Sequence, residues 1–285
     1  MLPLDWLTLL HYPFMQRAII AGILLGLLCG LLGSFATLRQ LSFFSHAVGH
    51  AALVGIVMGV LLHLEPNWTL LPFTLLFGVM VLYLIDHTDL WSDSILNIVL
   101  SGALAIGIIL TTFIQSYRGN LMGILFGDIL AVNWLDIGIT AGLLGLSSSI
   151  LFSTLRQQIL LTLNPAVAQV QGIAVTTHRY VFVILLSLTV AVCIKAVGIL
   201  LVNAFLVIPA ATAKLLNQQF KPYLAGSIGL GALTSVVGMV TSGLFNLPSG
   251  PSIVLVQFGL FLGVCGWVTW RNQRRSPEPM ARNIV

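Results

Sequence analysis

The sequence predicts an all-α fold: a polytopic membrane helix bundle with eight or nine transmembrane helices. Three observations carry this. Of the 285 residues, 58% are hydrophobic and only 7% are charged, whereas a water-soluble domain carries about 25% charged residues. Apolar runs long enough to cross a bilayer, about 20 residues each, follow one another along the chain. These runs use up the length of the chain, so residues 1–285 read as a single transmembrane domain with little room for a separate soluble one.

The N-terminal "MLPLDWLTLLHYPFMQR" has no basic start and no small-residue cleavage site, so it does not read as a cleaved signal peptide. Nine candidate spans follow, at roughly 18–38, 46–62, 67–85, 94–116, 135–153, 180–195, 197–213, 223–245 and 251–270. The sixth and seventh are almost continuous. Eight spans with one broken or re-entrant helix is therefore the alternative. The segment Leu121 to Leu130, "LMGILFGDIL", is too short to cross and predicts a helix at the surface or dipping in. Gly22, Gly26 and Gly30 recur every four residues in the first span, and Gly55 and Gly59 do so in the second. In lipid, small residues let helix backbones approach closely, and tight packing accounts for them. Cys29, Cys193 and Cys265 lie inside apolar runs without a CxxC pair and read as packing residues, not disulfides or metal ligands.

Orientation follows from Lys and Arg, which favour the cytoplasmic side. With nine spans and an outside N-terminus, the inner face receives Arg39, Arg156, Arg179, Lys214, Lys221, Arg271, Arg274, Arg275 and Arg282. The outer face receives Arg17, Arg118 and Lys195. The net charge of +4 is thus a topology signal, with no nucleic-acid patch implied. The acidic "DHTDLWSD", Asp86 to Asp93, falls inside, which is awkward but allowed because acids count little. Residues 271–285 read as a polar cytoplasmic tail.

The longest polar interruption runs from Thr154 to Arg179 on the inner side. Asn164 suits a helix N-cap, Pro165 the first turn, and Gly172 the end. A short helix here could take force from a partner; composition alone favours a plain loop. No GxxxxGK[ST] or GxGxxG is present, so any ATP is bound by another polypeptide. No HExxH and no recognisable Ser/His/Asp or Cys/His signature is present either, so the chain is not read as an enzyme.

His46 and His50, in "LSFFSHAVGHAALVGIVMGVLL", stand four apart and project from one helix face. Imidazole is a common ligand for zinc and other late divalent metals. A polar pair in a spanning segment is costly against lipid and points to function. Two satisfied interfacial histidines near Arg39 and Ser45 remain the other reading. His63, His87 and His178 sit at span ends or in loops, and His11 precedes the first span; none of the four is read as a ligand.

Five segments together resemble the integral-membrane permease of bacterial ABC transporters for zinc, manganese or iron. They are "FMQRAIIAGILLGLLCGLLGSFATLRQLSFFSHAVGHAALVGIVMG", "LMGILFGDILAV", "NPAVAQVQGIAV", "VGILLVNAFLVIPAATAKLL" and "LPSGPSIVLV", spread over residues 14 to 270. The resemblance implies an ABC importer permease-like fold in the bacterial plasma membrane. It implies a separate ABC ATPase, an extracytoplasmic metal-binding protein, and a second permease copy forming a homodimer. No cofactor is held permanently: the metal is cargo, and ATP stays on the partner. The coupling helix of such permeases falls on Asn164, Pro165 and Ala166 through Gly172. An Asp-x-x-x-His pair of the family falls on His46 and His50, with His46 replacing the Asp. Asp128 also matches, in an orienting or capping role. Four imidazoles from two copies suit a tetrahedral late metal, whereas hard oxygen suits manganese; this favours zinc over manganese. A proton-coupled secondary transporter or channel needing no ATPase is the alternative. If the histidines are structural, Asp128 and Asn203 are next in line.

Overall fold

The computed structural model describes residues 12–113 and 127–275. Eleven α-helices and one short 3-10 turn make up the described chain. They are α1 (Pro13–Leu38), α2 (Phe44–Leu61), α3 (Pro66–His87), α4 (Ser92–Thr112), α5 (Trp134–Ser153), α6 (Leu155–Leu163), α7 (Pro165–Val170), α8 (Val175–Val197), α9 (Ile199–Leu216), α10 (Phe220–Phe245) and α11 (Ser249–Arg275). The 3-10 turn spans Ile129–Ala131. Among the described residues, nine helices are long and apolar enough to cross a membrane.

Several boundaries differ from the sequence expectation. α1 starts at Pro13, because a proline is tolerated in the first turn, where its missing N–H has no partner to lose. α11 continues to Arg275, so the start of the expected polar tail is helical; residues 276–285 lie outside the described residues. Residues 121–126 of the expected surface helix, the end of the fourth expected span, Arg118 and His11 also lie outside them. The rest of that segment is Gly127, with φ of 65°, and the 3-10 turn.

Burial sorts the helices. In α1, α2 and α8, 72%, 67% and 67% of the span is buried, against 17% in α11 and 28% in α4 and α5. The first three form the centre, where helices apolar on all sides belong. The seam between α1 and α10 shows how. Their residues pair antiparallel in steps of four. Tyr223 Oη donates to the Ser34 carbonyl at 2.8 Å, and Ser227 Oγ to the Gly30 carbonyl at 2.7 Å. Next along, Gly26 and Gly231 meet backbone to backbone, and Ser235 faces Gly22. The four-residue glycine repeat thus does what close packing in lipid requires. Cys29 and Cys193 are buried free thiols across α1 and α8, with sulfurs 3.4 Å apart.

The bundle has two distinct ends. At one, Arg179 pairs with Asp86 at 2.6 Å, tying the start of α8 to the end of α3 beside α6 and α7. At the other, Lys195 pairs with Asp136 at 2.7 Å. α8 spans 23 residues, about 35 Å at 1.5 Å per residue. Asp86, awkward as an inner acid by charge alone, is there as the partner of a basic residue.

Candidate functional site

His46 and His50 lie near the start of α2, with ring centroids 4.6 Å apart. Between Phe44 and Val57 the helix is buried at every position except His46, His50 and Leu53. Those three recur at three- and four-residue spacing, so they form one face. Among the described residues, α2 is therefore least covered on the side carrying the two imidazoles, which are half-buried. Phe43 packs against His46 at 5.0 Å between centroids.

Two chain breaks converge near this face. Gly198 separates α8 from α9 with φ of 86°, a conformation that glycine takes without a Cβ penalty. The first residue of α9 lies against α2 between the histidines: a Cβ at Gly49 would stand 3.6 Å from the Ile199 carbonyl oxygen. On the other side, Gly127 presses on the backbone of Val197 and Gly198. The eight-or-nine ambiguity in the sequence has its origin here, in a reversal made by one glycine. Spanning helices are commonly interrupted where irregular backbone lines a protein cavity.

The sequence-nominated residues distribute unevenly. Asn203, on α9, accepts a hydrogen bond from Ser45 at 2.7 Å, so it is fixed beside the residue preceding His46. Asp128 accepts from the Leu130 backbone N–H at 3.0 Å and caps the 3-10 turn, the capping role expected of it. It joins the region only through its neighbour Gly127. His87 hydrogen-bonds the Tyr83 carbonyl at 2.9 Å, and His178 the Gln158 amide at 3.3 Å.

Asn164, Pro165, Ala166 and Gly172 lie at the Arg179 end, remote in sequence from the histidines. Asn164 Oδ1 accepts from the N–H groups of Ala166 and Val167 at 3.0 and 3.2 Å. Pro165 occupies the first turn of α7. Gly172, with φ of 76°, closes the helix, its N–H donating to the Gln169 carbonyl at 3.0 Å. The local signals thus make a helix where composition favours a loop. α7 stands out from the bundle: Ala168 is buried, but Val170 is 89% exposed.

Sequence reasoning did not find the cluster behind α7. Arg39, just past α1, donates to Gln158 Oε1 and to Thr162 Oγ1 at 3.1 Å on α6. Its guanidinium also stands 4.5 Å from the Phe182 ring centroid. Gln158 is buried and passes the network on to Thr154 and His178. Burial, with the nearby Arg179 charge, lowers Arg39 to about 10, so it stays a cation at neutral pH. The residues are 119 apart in sequence, and no motif spacing links them.

A bundle of membrane-crossing helices, with a reversal at Gly198, a half-buried histidine pair and an exposed capped helix at one end, has the build of a membrane permease. The chain belongs to the ABC 3 transport family, whose model matches residues 11–267. It is a multi-pass protein of the plasma membrane and not itself an enzyme. It is 30% identical over 255 residues to the high-affinity zinc uptake system membrane protein ZnuB of Haemophilus influenzae, covering 88% of this chain and 96% of that one. It is 36% identical over 252 residues to the manganese import system permease protein ScaB of Streptococcus gordonii, covering 88% and 90%. Its fold matches PsaBC from Streptococcus pneumoniae, solved in complex with Fab, with a TM-score of 0.79, 32% identity and coverage of 91% and 94%.

Proposed function

We propose that this chain is the permease of an ATP-driven importer of divalent transition metals, with zinc favoured over manganese. His46 and His50 contact the ion in transit. The carrying observation is that, among the described residues, the least covered face of the buried half of α2 bears both imidazoles, half-buried side by side. A packing role would bury them, and a lipid-facing role would leave charge-capable groups unpartnered in hydrocarbon. A second copy of the chain facing this surface would complete a four-imidazole set suited to a tetrahedral late metal. The relatives include one named for zinc and one named for manganese, so the family alone does not choose. The choice of zinc rests on nitrogen ligands where a carboxylate would favour manganese.

ATP hydrolysis belongs to a separate subunit that docks on α7, supported by the exposure of Val167 and Val170 on a helix capped at both ends. An extracytoplasmic binding protein delivers the ion at the Lys195 end, and the C-terminus is cytoplasmic. The test is uptake of labelled zinc and manganese in cells expressing the chain with its ATPase and binding protein. His50→Ala is expected to abolish most uptake while expression and assembly persist. His46→Asp is expected to keep uptake and move preference towards manganese. Wild-type uptake by both His46→Ala and His50→Ala would make the pair structural. Full uptake without an ATPase would favour a proton-coupled carrier.

A further inference from the structure

At the end of the bundle that carries α6 and α7, a cavity of about 350 Å³ opens among the α1–α2 turn, α3, α4, α6, α7 and α8. Its polar wall consists of Arg39, Gln40, Ser92, Thr162 and Arg179, and no carboxylate lines it. Of the two guanidiniums, one has an acid partner. Arg179 has Asp86 at 2.6 Å. Among the described residues Arg39 has neutral partners, the side chain and carbonyl of Gln158, the Thr162 hydroxyl and two aromatic rings. Its Nη1 is buried without a hydrogen-bond partner. A half-buried cation lacking a counter-charge is unfavourable, and an anion in the adjoining space would supply one.

The remaining wall adds to the same sign. Ser92 is the first residue of α4, a 21-residue helix whose N-cap, Trp91, makes no side-chain cap. A helix start of this kind carries partial positive charge and free N–H groups. Asp93, in the first turn of this helix, offsets part of that charge; it and Asp89 are exposed and do not line the cavity. The remaining N–H groups of Arg179, a hydroxyl and a helix start supply donors that match a phosphate, and the Arg39 charge stands beside them. Apolar side chains, Leu41, Leu82 and Val183 among them, complete the wall and suit the glycerol and first acyl carbons of a lipid. Basic pockets between helices at a membrane face take anionic headgroups.

We propose that this cavity binds a phosphate oxyanion, that of an anionic phospholipid headgroup. Bound there, the phosphate bridges the α1–α2 turn to α6 and supplies Arg39 with its counter-charge. Only the identity of the leaflet rests on the orientation given under Proposed function; the site itself does not.

The experiment uses the full-length chain in nanodiscs of phosphatidylcholine, with or without phosphatidylglycerol. Lipid retained after exchange into detergent is counted by native mass spectrometry. Wild type is expected to keep one phosphatidylglycerol per chain. Arg39→Gln is expected to lower its occupancy about tenfold, through loss of one positive charge beside the phosphate. Arg271→Gln, whose guanidinium instead stands 5.4 Å from the Trp267 ring centroid, is expected to keep it. Should Arg39→Gln fail to fold, Ser92→Phe fills the cavity while leaving both arginines, and it is expected to lose the lipid as well. In phosphatidylcholine alone, inorganic phosphate that raises the melting temperature of wild type but not of Arg39→Gln would identify free phosphate as the source and uphold the phosphate chemistry. Equal retention by wild type and both variants, with no effect of phosphate, overturns the proposal. So does occupancy by an acidic side chain of a bound ATPase in place of lipid. Neither metal nor ATP enters the measurement, so its failure leaves the transport reading standing, and the converse holds.

Discussion

Gly33→Ala tests the packing that holds the histidine face in place. Gly33 lies on α1 opposite Leu206 of α9. A Cβ there would overlap the Leu206 carbonyl oxygen and stand 3.0 Å from its carbon. Ordinary carbon contacts are about 3.5–4.0 Å, so α9 must withdraw by about 1 Å at that point. Asn203 is three residues earlier on the same helix, and its bond from Ser45 is 2.7 Å long. A withdrawal of that size takes the pair past about 3.5 Å, where a hydrogen bond is lost. Overpacking costs about 1–3 kcal/mol, and removing a helical glycine returns about 0.5–1 kcal/mol. The net is a loss of about 1–2 kcal/mol. For a domain of this size that corresponds to a fall in melting temperature of about 2–8 °C, read by tryptophan fluorescence of the purified full-length chain. Gly102→Ala is the control, because a Cβ there meets nothing within 4 Å; it is expected to melt at or above the wild-type temperature. Metal uptake is expected to fall in Gly33→Ala alone. If Gly33→Ala melts with Gly102→Ala and transports normally, α1 and α9 do not meet as described.

Three further outcomes are expected. Gly172→Trp places a bulky L-residue at φ of 76°, a strain of about 1–2 kcal/mol with no neighbour to relieve it; the expected result is ATP hydrolysis uncoupled from transport or a lost complex, and normal metal-stimulated turnover would count against docking on α7. Asp86→Asn removes the acid paired with Arg179, so the melting temperature is expected to drop by the equivalent of about 1 kcal/mol, with part of it recovered in an Asp86→Asn, Arg179→Gln double variant; additive losses would sink the pairing. A reporter fused after Arg275 is expected to be active only in the cytoplasm, and activity restricted to the far side would reverse the orientation.

What the sequence legibly carried was local. Asn164, Pro165 and Gly172 cap a helix because each acts through its own φ/ψ preference or a hydrogen bond within one turn. His46 and His50 share a face because four residues make about one helical turn. The apolar runs mark spans because a backbone in hydrocarbon must satisfy its hydrogen bonds within the segment. In each case the determining atoms lie a few residues apart, so the order of residues is enough.

Tertiary structure decided which surfaces those elements present to one another. The glycine repeat of α1 signals a close neighbour, but only the fold makes that neighbour α10, through Tyr223, Ser227 and Gly231. Arg39 reads from sequence as a topology charge, and becomes a half-buried guanidinium only when α6 and Phe182 are folded over it. The histidine face is only half-covered by the described helices, and helical periodicity cannot state that. Partner choice in a bundle is the sum of many weak contacts between residues far apart in the chain, each worth a fraction of a kcal/mol. No short window of sequence contains that sum, so it is settled only when the helices meet.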